Sequence, residues 1–137
     1  MSTDANKATI LRYLRGVERF DLDDVAGCFA PDAIQHLPAP GVTALDLPPV
    51  QVGRELIIDG FRKFIPMLYK LETIRMEVQN IIGDGDFVAA RWILHAVTQS
   101  KGEAYANHYH FLFRFEDGLI AEYWEFCDTA YAASKFH

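Results

Sequence analysis

The stretch YANHYHF, Tyr105 to Phe111, places His108 and His110 one residue apart between aromatic side chains. On a strand, two imidazoles at that spacing share a face and can chelate, but a metal site needs a third ligand. The nearest motif of this kind runs glycine, five residues, H-x-H, then a glutamate three or four residues on. Gly102 and the histidines fit it, but Glu116 follows His110 only after five residues. No metal and no cofactor is expected. The same alternation sends Asn107, Tyr109, Phe111, Phe113 and Phe115 to one face, and His108, His110, Leu112 and Arg114 to the other. Asp21 sits where a helix cap is needed, and Asp32 follows Pro31 in a turn, so both read as structural. No serine nucleophile elbow, P-loop or GxGxxG occurs in the chain, which removes support for hydrolase triads and nucleotide cofactors.

Composition narrows the partners. The net charge is −6 and the 13 basic residues form no run, so nothing favours nucleic acid. No apolar stretch is long enough for a membrane span, and MSTDANKAT lacks the order of a signal peptide. Cys28 and Cys127 have no CxxC or metal spacing and read as buried thiols of a cytoplasmic protein.

The elements that must position these residues follow from periodicity. Ile10, Leu11, Leu14 and Val17 predict a helix over about 5–19. Asp21 and Asp23 offer caps for a short second helix, and 33–37 reads as a short strand. Residues 38–52 carry Pro38, Pro40, Pro48 and Pro49 and predict a long loop. A third helix is expected over about 53–70, bent at Pro66. Four strands follow at 73–82, 87–99, 104–115 and 119–127, then a short terminal helix. On the strand 87–99, Phe87, Ala89, Arg91, Ile93 and His95 share one face, and Val88, Ala90, Trp92, Leu94 and Ala96 share the other. Helices gathered on one face of an antiparallel meander make one α+β domain, 1–137, enclosing a cone-shaped cavity. The last turn leaves two registers open. A two-residue loop at Asp117-Gly118 sets Phe115 against Ile120. A three-residue loop at Glu116–Gly118 sets Phe115 against Leu119 and Tyr109 against Glu125.

This order, with FAPDAIQH at 29–36 and FRFEDGLIAEYWEFCDTA at 113–130, resembles the NTF2-like superfamily. It is most similar to the SnoaL-like branch, whose relatives are polyketide cyclases, ketosteroid isomerases and limonene epoxide hydrolases. The resemblance implies a curved, mostly antiparallel sheet with three N-terminal helices on its concave face. The epoxide-hydrolase relatives imply the three-residue turn, a cavity carboxylate at Glu125, and Arg91, Ile93, His95, Asn107 and Tyr109 on the cavity side. They carry Arg-x-Asp where this chain has Arg91-Trp92-Ile93, so epoxide hydrolysis is not expected. The expected catalytic set is Glu125, His95 and Arg91. Tyr109 and Asn107 would donate to a developing oxyanion, with Tyr123, Tyr13 and His36 nearby. Ile57, Phe61, Phe64, Leu68, Phe111 and Phe113 would form the walls. The expected ligand is a small apolar carbonyl compound, turned over by an isomerase, cyclase or dehydratase, or held by a noncatalytic domain of the same fold. Dimers of such folds imply a second copy on the outer sheet face, at Trp92, His108, His110 and Trp124.

Overall fold

The computed structural model describes residues 2–38 and 47–136. The middle of the proline-rich loop, 39–46, lies outside the described residues. The element order is α1 (Thr3–Arg19), α2 (Leu22–Ala26), β1 (Phe29–His36), β2 (Val50–Val52), α3 (Arg54–Leu68), a 3-10 turn (Leu71–Thr73), β3 (Arg75–Asp84), β4 (Phe87–Val97), β5 (Ala104–Glu116), β6 (Leu119–Cys127) and α4 (Thr129–Phe136). It is an α+β architecture built on one curved, open six-stranded sheet of order β2-β1-β6-β5-β4-β3. Among the described residues, only the β1–β6 pair is parallel.

Local chemistry sets the helix ends. Ser2 accepts the Ala5 N–H at 3.1 Å and starts α1. Phe20 closes α1 in the left-handed region, at φ 54°. Asp21 accepts the Asp24 N–H at 3.1 Å, as its capping role requires. Asp32 is exposed on β1. α3 runs through Pro66 and ends two residues later, at Leu68. The loop expected over 38–52 contains β2, paired with β1 through Gln35 and Gln51.

α1 packs on β3 and β4, and α3 on β1 and β2, so both helices cover one sheet face. Beneath them lies an aromatic core. The Phe113 ring stacks on Tyr123 at 5.4 Å, and Tyr13 meets Phe113 at 5.7 Å and Phe29 at 5.8 Å. Such offset and edge contacts add to the area these rings bury.

The β5–β6 hairpin differs from the expected register. Asp117 and Gly118 both have positive φ, 50° and 76°, and form a two-residue turn between Glu116 and Leu119. Phe115 faces Ile120, but Arg114 faces Glu122, so Ala121 is an extra residue on β6. This bulge leaves Ile120 and Ala121 both buried and reverses the alternation of everything after it. Phe111 therefore faces Glu125, and Tyr109 faces Cys127. Deleting Ala121 removes the bulge but leaves Glu122 opposite Arg114, so Tyr123 and Glu125 should stay on the cavity face. We expect a protein that keeps cooperative thermal unfolding and near-UV circular dichroism; loss of both would show that the pairing after the bulge depends on the extra residue.

Candidate active-site cavity

Between α1, α3 and the sheet lies a cavity of about 440 Å³, within the range that holds small organic ligands. Tyr13, Leu14 and Val17 of α1 line it, with Ile57, Phe61, Phe64 and Leu68 of α3. The sheet contributes Gln35, Trp92, Leu94, Tyr105, Tyr109, Phe111, Glu125 and Cys127; α4 closes one end with Ala132 and Phe136. Tyr123 and Phe113 are completely buried behind this lining.

Glu125 is the one carboxylate on the sheet floor among the described lining residues; Asp59 and Lys63 stand on the exposed side of α3. Its accessible surface opens to the cavity. Removal from water raises its pKa from the ordinary carboxylate range to about 7. Hydrogen bonds from Gln35 and Tyr123 hold that rise back. Gln35 Nε2 lies 2.6 Å from Glu125 Oε2 and 2.6 Å from the Tyr123 hydroxyl. A carboxylate only accepts, so the amide nitrogen of Gln35 must face it. The Tyr13 ring meets Tyr123 edge-on at 6.3 Å, and burial keeps both phenols protonated.

The other polar cluster stands toward α4. The Tyr105 and Tyr109 hydroxyls lie 2.8 Å apart, and that of Tyr69, the residue ending α3, lies 3.3 Å from Tyr109. Asn107 Nδ2 donates to the Tyr105 hydroxyl at 2.9 Å and to the Asp128 carbonyl at 3.1 Å. Asn107 thus supports Tyr105 from behind the wall and reaches no ligand itself. Tyr109 and Glu125 are diagonal neighbours on one face of the β5–β6 pair, a separation of about 7–8 Å.

Three expected site residues are elsewhere. β4 pairs with β5 so that Trp92 faces Tyr109 and Arg91 faces His110. Residues directly opposite across an antiparallel pair share a face, so Trp92 and Leu94 enter the cavity, while Arg91 and His95 lie on the convex face. There Arg91 binds Asn80 Oδ1 at 2.9 Å, and His95 meets Glu77 at 2.8 Å. His36 is also convex, 2.7 Å from Glu122 and stacked on Trp124 at 5.1 Å. His108 and His110 are exposed on the same face, with no grouping of three metal-ligand side chains among the described residues. Trp92, expected on that outer face, is instead 2% exposed within the core.

The cavity residues that sequence reasoning missed are Gln35, Tyr69, Tyr105, Trp92 and Leu94. Tyr105 shares the alternation of Tyr109, and Gln35 is the polar residue of an otherwise buried β1 face, so both left a signal. Tyr69 follows a helix end and left none.

The sequence matches the SnoaL-like domain family over residues 10–123, and the chain belongs to that family. Glu125 lies just beyond the matched segment. No curated protein matches the sequence. Among solved structures, an NTF2-like protein of unknown function from Burkholderia pseudomallei is similar, at TM-score 0.84 and 21% identity over 99% of this chain and 98% of that one. IdmH of Streptomyces antibioticus, a proposed polyketide cyclase, aligns at TM-score 0.78 and 22% identity over 95% and 96% of the two chains. TerC, crystallised with polyporic acid, aligns at 0.83 and 19% identity over 96% and 98%. These likenesses establish the NTF2-like fold. No helix among the described residues is long and apolar enough to cross a membrane.

A carboxyl group whose folded pKa is raised binds protons more tightly in the folded state. Its contribution is fully present below the unfolded pKa and is lost as pH rises toward about 7. Glu125→Gln should therefore melt higher than the parent above neutral pH, by on the order of 1 kcal/mol or more. The two should converge near pH 4. Thermal melts across that range check this; a parallel pH dependence in both proteins would remove the strained carboxylate.

Proposed function

We propose that the chain binds a flat, largely apolar carbonyl compound and acts on it by general acid–base chemistry, without a cofactor. The observation that carries this reading is one carboxyl of pKa about 7 facing an aromatic-lined cavity. A base works best when its pKa lies near the operating pH. Glu125 would remove a proton from the carbon beside the carbonyl. Gln35 and Tyr123 would hold the carboxylate in place while it accepts. Returning the proton to a different carbon gives an isomerase. Attack of the enolate on a second carbonyl gives a cyclase, and loss of a β-hydroxyl as water gives a dehydratase. The family match and the likeness to a proposed cyclase and to a protein crystallised with polyporic acid support this ligand class. A noncatalytic binder of the same ligands is the second reading. It is favoured by the removal of Arg91 and His95 from the cavity, which leaves Glu125 without an ionic partner there.

α-Deuterium exchange of aryl ketones separates the two. Exchange should rise with pH through about 7, and Glu125→Gln should slow it by about 100-fold or more. Arg91→Ala and His95→Ala should leave it within about twofold, since neither faces the ligand. Exchange untouched by Glu125→Gln ends the assigned role; ketone binding without exchange across a panel selects the binder.

A second copy of the chain is the partner we propose for the convex face. Phe126 is 59% exposed there, Ile82 65% and Phe87 42%, beside Trp124 and Leu112. Phe126→Glu should convert a dimer to a folded monomer in sedimentation equilibrium. A parent protein that sediments as a monomer rules the dimer out.

A further inference from the structure

The tyrosine cluster has more protons than acceptors. Each phenol has one proton to donate. Among Tyr69, Tyr105 and Tyr109 there are two hydroxyl–hydroxyl contacts, which engage two of the three. Asn107 accepts from none of the phenols: its Nδ2 meets Tyr105 and the Asp128 carbonyl, and its buried Oδ1 has no partner. Whichever way the hydroxyls rotate, one O–H is left over, and all three rings line the cavity. The indole N–H of Trp92, stacked parallel to Tyr109 at 5.9 Å, is also buried without a partner.

The geometry says which hydroxyl gives the spare proton. Donation from Asn107 polarises Tyr105, which favours onward donation across the short 2.8 Å contact to Tyr109. Tyr109 then accepts from Tyr105 through one of its two lone pairs. Its proton can reach Tyr69 only across the longer 3.3 Å contact. A better acceptor in the cavity takes that proton, and Tyr69 turns to donate to Tyr109 in its place.

We propose that Tyr109, backed by Tyr105 and Tyr69, is the donor subsite that takes the carbonyl oxygen of an aromatic ketone. This rests on the ligand class proposed above and fixes how the ligand lies: oxygen toward the tyrosines and α4, and the carbon beside the carbonyl toward Glu125. Burial raises the pKa of all three phenols, so they remain donors across the neutral range. The stronger acceptors, Glu125 and the side-chain oxygen of Gln35, whose nitrogen is engaged, stand at the other end.

Acetylnaphthalene and the hydrocarbon isopropenylnaphthalene have nearly the same shape and differ in one oxygen. In calorimetric titrations the full chain should bind the ketone on the order of tenfold tighter. The carbonyl stretch of the bound ketone should fall below its value in hydrocarbon solvent. Tyr109→Phe should remove the preference and the infrared shift while hydrocarbon affinity is kept, which reports an intact cavity. Tyr69→Phe should keep the preference within about threefold, because Tyr105 still donates to Tyr109. Loss of the preference in Tyr69→Phe but not in Tyr109→Phe overturns the assignment, as does equal binding of the two probes by the parent. Glu125→Gln should keep the preference and the shift and lose deuterium exchange. Failure of the base is thereby read separately from failure of the subsite.

Discussion

The bulged pairing of β6 decides what the cavity contains. Without the bulge at Ala121, the tight turn at Asp117-Gly118 would carry Glu122, Trp124 and Phe126 inward and leave Tyr123 and Glu125 in solvent. With it, the aromatic core closes around Tyr123 and the carboxylate reaches the cavity. The same pairing gives the convex face its Glu122–Arg114 contact at 3.3 Å. A strand has only two faces, so a one-residue offset in pairing allots every later side chain to one function or the other.

Glu125 then sits between opposing effects. Desolvation disfavours its charge, and two donors restore part of what water supplied. Desolvation outweighs them, and the balance falls near neutrality. A salt bridge to Arg91 would have broken it, because a guanidinium in a dry cavity would hold the carboxylate ionised and weak as a base. The arginine is instead engaged by the neutral Asn80 side chain outside. The donors at the opposite end of the cavity make the site asymmetric, so a ligand enters a field with direction as well as an apolar volume.

The element order, the fold class and the cavity were legible because long alternating strands and amphipathic helices leave strong periodic patterns. Glu125, Tyr109, Tyr13 and the α3 phenyl groups were placed on the correct face. Glu125 was placed there for the wrong reason. A three-residue turn and a two-residue turn with a bulge give the same parity but different partners, and nothing in EDGLIA separates them. Arg91 and His95 failed differently. The run Val88, Ala90, Trp92, Leu94, Ala96 is the apolar half of β4, and burial by hydrophobicity alone would have turned it inward. Analogy with epoxide hydrolases outweighed that signal. His36 failed by the same one-residue shift, with Gln35 as its inward neighbour. Tyr69 lay beyond any periodic argument, because its place depends on where α3 ends against the sheet.

Trp92 and Trp124 are the chain's two tryptophans, and the sheet separates them. One indole lies in the cavity wall against Tyr109; the other lies on the convex face under His36. The molecule therefore carries two native optical reporters with separate jurisdictions. Emission from Trp92 should be short in wavelength, insensitive to dissolved iodide and altered by whatever fills the cavity. Emission from Trp124 should follow the covering of the outer face. A chain with either indole replaced by phenylalanine would listen to one side of the sheet alone.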